Sequence, residues 1–151
     1  MRLDRPLQTT LEAVAAIMLD ARHRWWVIGS AAVALHGAEP LTVADVDILL
    51  SPQDARLLLP RIGIVPGAGA DHPDFRSTLF ATWRDAALPV EFMAGFSYRR
   101  YGEWMPVAPR TRMAMMVGKA MVFVPERAEL REIIQGFGRP KDWERAGLLA
   151  G

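Results

Sequence analysis

An α+β domain is expected, with a small mixed, mostly antiparallel sheet and helices packed chiefly on one face. Three observations predict it. Apolar residues recur at helical spacing near the start, short apolar runs bounded by Gly, Pro and Asp fill the middle, and helical spacing returns after Pro125. The 151 residues, 51% hydrophobic and 23% charged, suit one domain over positions 1–151 that buries a core without disulfide or metal staples.

Leu7, Leu11, Val14, Ala15, Met18 and Leu19 predict a first helix over about 8–22, with Thr9 or Thr10 as cap and Glu12 in the first turn. Residues 25–28 are aromatic or β-branched and stop at Gly29-Ser30, as a buried strand turning into a helix does. That helix covers 31–36 and closes at Gly37. A second strand is expected over 42–50, then Ser51-Pro52 capping a helix over about 52–61. The Gly-, Pro-, Asp- and His-rich stretch 63–74 reads as loop. Two strands, 75–84 and 88–96, read as a hairpin joined by Asp85-Ala86-Ala87. Residues 104–107 and 120–124 are shorter strand expectations, with a Met-rich stretch over 111–121 that fits either state. A helix follows Pro125 and breaks at Gly136 to Pro140, and a closing helix spans 142–149, with Asp142 as its N-cap.

The totals exclude several classes. Eighteen basic against seventeen acidic residues leave a formal charge of +1, which removes the electrostatic case for general nucleic-acid or membrane binding, local patches aside. Without cysteine there is no disulfide framework, thiolate zinc site or cysteine nucleophile. Asp4, Glu12 and Asp20 interrupt the N-terminal apolar residues, so neither signal peptide nor membrane span is expected and the cytoplasm is the default compartment.

The chemistry-bearing feature is the Asp45-Val46-Asp47-Ile48 stretch. Strand alternation turns Asp45 and Asp47 to one face, where two close carboxylates repel unless a cation or water separates them. Glu91, flanked by Val90 and Phe92, can join them from a neighbouring strand. Three carboxylates on adjacent strands can hold two Mg²⁺ roughly 3.5–4 Å apart, the arrangement that serves phosphoryl or nucleotidyl transfer. The Gly29-Ser30 turn offers backbone N–H groups and a hydroxyl to the phosphates of a nucleotide.

Strand, Gly-Ser, short helix and then Asp-x-Asp on the next strand resembles the nucleotidyltransferase superfamily of the DNA polymerase beta type. The nearer resemblance is to small bacterial nucleotidyltransferase-like proteins that include abortive-infection and toxin-antitoxin members. It rests on Gly29, Ser30, Ala32, Leu35, His36, Gly37, Thr42, Asp45 and Asp47, and extends to Arg139, Pro140, Lys141 and Asp142. Residues 25–50 carry its specific part. It implies a nucleotidyltransferase-like fold and Mg²⁺-dependent transfer of a nucleoside monophosphate from an NTP such as ATP to an acceptor hydroxyl. Asp45, Asp47 and Glu91 would be the catalytic and metal-binding residues, with Gly29, Ser30 and Lys141 contacting the nucleotide. The chain departs from that pattern in three ways. Pro40-Leu41 replace an Arg that often precedes the Thr, Thr42 lies three residues before Asp45 instead of two, and Glu91 stands where Asp is more usual.

The acceptor is open among RNA such as tRNA, a partner protein and a small molecule, bound over loop 63–74 or at a homodimer seam. The rival readings are a binding or regulatory protein that keeps the fold without catalysis, for example a toxin-antitoxin component, and a metal-dependent phosphodiesterase or nuclease. The scarcity of His and Lys speaks against the last. His36 reads as a helix-end residue, His23 and His72 as solvated. Arg99-Arg100-Tyr101 reads as a solvated turn, with contact to phosphate or a polynucleotide as its other reading.

Overall fold

The computed structural model describes residues 3–39, 41–69 and 72–150. Its central sheet has four strands in the order β1-β2-β5-β4, namely β1 (Trp26–Ile28), β2 (Val46–Leu50), β5 (Val90–Ala94) and β4 (Leu79–Trp83). Only the β2–β5 pair is parallel; β1–β2 and β4–β5 are antiparallel, so the sheet is mixed and mostly antiparallel as expected. A second sheet of three strands joins β3 (Phe75–Arg76), β6 (Ser97–Arg100) and β7 (Glu103–Pro106). β8 (Met113–Val117) and β9 (Ala120–Val124) form a separate antiparallel hairpin.

Alternation divides the central sheet into two unlike faces. Val27, Val46, Ile48, Leu50, Val90, Phe92 and Ala94 point into the main core, against α1 (Arg5–Met18), α2 (Gly29–Leu35) and α3 (Pro52–Leu58). Leu130 and Ile134 of α4 (Arg127–Phe137) and Ala146 of α5 (Pro140–Leu148) complete that core. The opposite face carries a small apolar group, Ile28, Leu49 and Met93 with Trp26 and Phe80 beside it, and on it Asp47 and Glu91. Burying the helix-covered face leaves the other one available for polar chemistry. No helix among the described residues is long and apolar enough to cross a membrane.

Several boundaries differ from expectation for identifiable reasons. α1 begins at Arg5 because Pro6 sits in the first turn, where its missing N–H needs no partner. Thr10 is no cap; it is buried, donates to the Pro6 carbonyl at 2.8 Å and accepts from Leu88 N at 2.9 Å. The strand expected over 42–50 starts only at Val46, where pairing with Val90 begins, so Asp45 lies one residue ahead of it. The strand expected over 75–84 is two, Phe75–Arg76 pairing with β6 and Leu79–Trp83 with β5. The β4–β5 hairpin itself forms as expected. The Met-rich stretch resolves into β8, turned back by Gly118 and Lys119. Of the loop over 63–74, Gly67 bridges Phe80, and positions 70 and 71, like Pro40, lie outside the described residues.

Candidate active site

The parallel register of β2 and β5 sets Asp47 directly beside Glu91, and the antiparallel register of β1 and β2 sets Asp47 beside Ile28. One row across the sheet therefore reads Ile28, Asp47, Glu91, Thr82. The chain leaves β1 right after Ile28, so the Gly29-Ser30 turn rises over the acidic end of β2. Gly29 has φ of +68°, and a Cβ built on it would stand 2.7 Å from Asp47 Oδ2. Only glycine accommodates both the left-handed backbone and that approach. Ser30 is buried in the first turn of α2.

Asp45, Asp47 and Glu91 converge, with one carboxylate oxygen from each lying within 4.8 Å of the others. Among the described residues, Asp47 Oδ1 is the buried side-chain oxygen or nitrogen without a hydrogen-bond partner. Burial drives the Asp47 carboxyl well above the ordinary range, the charges of Asp45 and Glu91 push it further, and Arg145 opposes them. Glu91 is raised by burial and by Asp45, against the contrary pull of its contact with Asp47 and of Arg84 and Lys141. This trio of half-buried carboxylates offers oxygen ligands that could hold a metal ion.

A cleft of about 310 Å³ opens beside Asp47 and Glu91. Its far wall is aromatic: Phe75 and Phe96 stack at 5.9 Å and Phe137 meets both edge-on. Arg139 lies 4.9 Å above the Phe75 ring and is held there by Asp142, through Nε to Oδ2 at 2.6 Å and Nη2 to Oδ1 at 3.0 Å.

Neither a protein-family profile nor a curated protein sequence matches this chain. Solved structures do. A Thermotoga maritima protein assigned provisionally as a nucleotidyltransferase superimposes with a TM-score of 0.75 at 19% identity, covering 95% of this chain and 92% of that one. The fold is the nucleotidyltransferase fold. A lincosamide antibiotic adenylyltransferase, solved with lincomycin bound, matches with a TM-score of 0.61 at 10% identity, over 99% of this chain and 98% of its own. An antigenic nucleotidyltransferase-like protein from Paracoccidioides brasiliensis matches with a TM-score of 0.55 at 14% identity, over 95% and 75% of the two chains.

Of the six residues singled out by sequence, Asp45, Asp47 and Glu91 converge, Gly29 abuts Asp47, and Ser30 follows Gly29 into α2. The sixth, Lys141, is exposed in the first turn of α5, and its charge reaches Glu91. Asp142 is not the N-cap of that helix. Arg139 holds the cap position, and Asp142, three residues on, accepts from Arg139 N at 3.1 Å, so the Arg-Pro-Lys-Asp run is a helix start locked by its own ion pair. His36 bonds the Pro125 carbonyl at 2.9 Å, a helix-end role as expected. His72 is exposed but lines the cleft, 5.0 Å from Phe75.

Sequence reasoning missed Arg145 and the aromatic wall. Arg145 lies one helical turn beyond Lys141, so i, i+4 spacing sets both cations on one side of α5, the first felt at Asp47 and the second at Glu91. That spacing was the available signal. Phe75, Phe96 and Phe137 come from three separate elements, and no local pattern announces their meeting.

Proposed function

We propose that this protein transfers a nucleoside monophosphate from an NTP to an acceptor hydroxyl, using divalent metal held by Asp45, Asp47 and Glu91. The observation that carries the reading is Asp47 Oδ1, buried without a donor at the centre of three carboxylates. A buried carboxyl oxygen without a partner is costly, and a hard cation would satisfy it while offsetting the burial and the mutual repulsion that raise Asp47 and Glu91. Two Mg²⁺ ions, when bound, would neutralise charge on the triphosphate and on the attacking and leaving oxygens.

The chain's own residues account for the rest. The Gly29-Ser30 turn, pressed against Asp47, receives the triphosphate at its backbone N–H groups and hydroxyl. Lys141 and Arg145 approach from α5 and offset its remaining charge. The acceptor oxygen attacks the α-phosphorus, a new P–O bond forms, the bond from that phosphorus to the α,β-bridging oxygen breaks, and pyrophosphate leaves. Glu91, completing the carboxylate trio, takes the hydroxyl proton.

Calorimetric titration with Mn²⁺ and a non-hydrolysable ATP analogue tests the site, and incubation with α-labelled ATP and a cell extract tests the transfer. The expected result is saturable, metal-dependent nucleotide binding and label on an acceptor, both lost in Asp45→Asn/Asp47→Asn. Equal metal binding by that double variant would overturn the assignment. Release of labelled monophosphate without a labelled acceptor would instead favour hydrolysis.

A further inference from the structure

The β6–β7 hairpin bears a group of charges that the proposed chemistry leaves unused. The register pairs Arg99 with Trp104 and Arg76 of β3 with Ser97, so alternation sets Arg76, Arg99 and Trp104 on one face of the small sheet. Phe75 and Tyr98 occupy the other face and pack on Phe137, which makes that inner face part of the cleft wall. On the outer face two guanidinium groups share one indole, Arg76 at 4.3 Å and Arg99 at 5.9 Å from the Trp104 ring. At the hairpin tip Tyr101 is 91% exposed, with the Arg100 guanidinium 5.3 Å from its ring. Arg76, Arg99 and Arg100 are all exposed, and none is ion-paired to a carboxylate among the described residues.

The geometry points to this hairpin as the binding surface for a single-stranded polynucleotide, which it guides into the cleft as the acceptor of the transfer. The inference rests on the reading of the carboxylates as a nucleotidyl-transfer site. Three features select the occupant. Guanidinium forks without carboxylate partners fit phosphate oxygens. Trp104 and Tyr101, interleaved with those cations, offer ring faces on which bases stack, a contact that an acidic peptide does not use. Arg76, at the edge of that outer face, also lines the cleft of Asp47 and Glu91, so the charged face borders the carboxylate site. The near-neutral total charge limits the attraction to this patch, which implies a short footprint of a few phosphates.

Fluorescence anisotropy with a short labelled oligouridylate, its DNA counterpart and an oligoglutamate of matching charge tests this without nucleotide or metal. Binding of the oligouridylate is expected, with a log–log salt slope of about −2 for three contacted phosphates on a single strand. Arg76→Ala/Arg99→Ala/Arg100→Ala should flatten that slope and weaken binding more than tenfold. Trp104→Leu should weaken it by about tenfold while keeping the slope, the mark of lost stacking. Arg99→Glu, on an exposed side chain, serves if the tryptophan variant melts early. DNA binding equal to RNA binding supports the shared phosphate-and-base chemistry, and a preference for RNA assigns a role to the 2′-hydroxyl. No oligonucleotide binding, an unchanged slope in the triple variant, or oligoglutamate bound as tightly as oligouridylate would overturn the inference. Any of these leaves monophosphate transfer to another acceptor standing, whereas oligonucleotide binding without metal-dependent label transfer removes the transfer reading and leaves the surface.

Discussion

Gly29→Ala puts a number on how closely the turn is pressed against the acid. Two separable costs arise. The left-handed backbone, φ +68°, is disfavoured for alanine by about 1–2 kcal/mol. The new Cβ would also lie 2.7 Å from Asp47 Oδ2 and 3.6 Å from Cγ, so the carboxylate must shift, an overpacking cost of about 1–3 kcal/mol. Gly37→Ala is the matched control, because its φ is +77° and nothing lies within 4 Å of the added carbon. It should show the backbone cost alone. Urea unfolding of both variants should therefore place Gly29→Ala lower by the carboxylate contact, and at this chain length each kcal/mol moves the thermal midpoint by about 2–4 °C. In an Asp47→Ala background the excess should vanish, since the obstructing atoms are gone. Equal losses at Gly29 and Gly37, or an excess that survives removal of Asp47, would refute the account.

Asp45→Ala/Asp47→Ala should abolish Mn²⁺ binding by calorimetry yet leave the metal-free melting temperature unchanged or raised, because repulsion is removed. The metal-free protein should lose stability as pH rises from the ordinary carboxylate range through the raised values of Asp47 and Glu91, because across that window the native state binds more protons than the unfolded chain. Unfolding free energies for Asp47→Asn should show a shallower fall, and identical slopes would defeat that expectation. Glu129 has the opposite sign: burial pushes its carboxyl up, but the backbone N–H groups of Arg110 and Thr111 and the Thr111 hydroxyl outweigh it and hold it below the usual range. Its contribution is present at neutral pH and lost as pH falls through that lowered value, so the gap between wild type and Glu129→Gln should narrow on acidification. Asp54, 1% exposed, accepts from Arg22 N and His23 N at 2.9 Å each, so Asp54→Ala strands two backbone donors and should cost about 2–4 kcal/mol in urea unfolding.

The core of the site was legible because it is built from short-range patterns. Two-residue spacing marked the aspartates as a pair, although Asp45 lies one residue ahead of β2, and Gly-Ser after an apolar run marked the turn beside them. Glu91 was reachable as an acid inside an apolar strand, although only the parallel pairing of β2 with β5 shows that it adjoins Asp47. β6 escaped notice because Arg99-Arg100-Tyr101 looks like a polar turn. The turn itself is Tyr101-Gly102, with φ values of 52° and 77° that suit a tight hairpin. Methionines obscured β8, since their flexible side chains suit a helix as well as a strand. The aromatic wall and Arg145 depend on tertiary assembly, which no window of neighbouring residues encodes.

The parallel pairing of β2 with β5 has a consequence for how the protein matures. Asp47 and Glu91 are separated by roughly forty positions of chain, and long loop closure makes such pairings slow to form. A chain still emerging from synthesis already contains both aspartates, but the three carboxylates converge only when the β4–β5 hairpin docks onto β2. Under the proposed function, neither cation nor nucleotide has its full set of ligands before that docking.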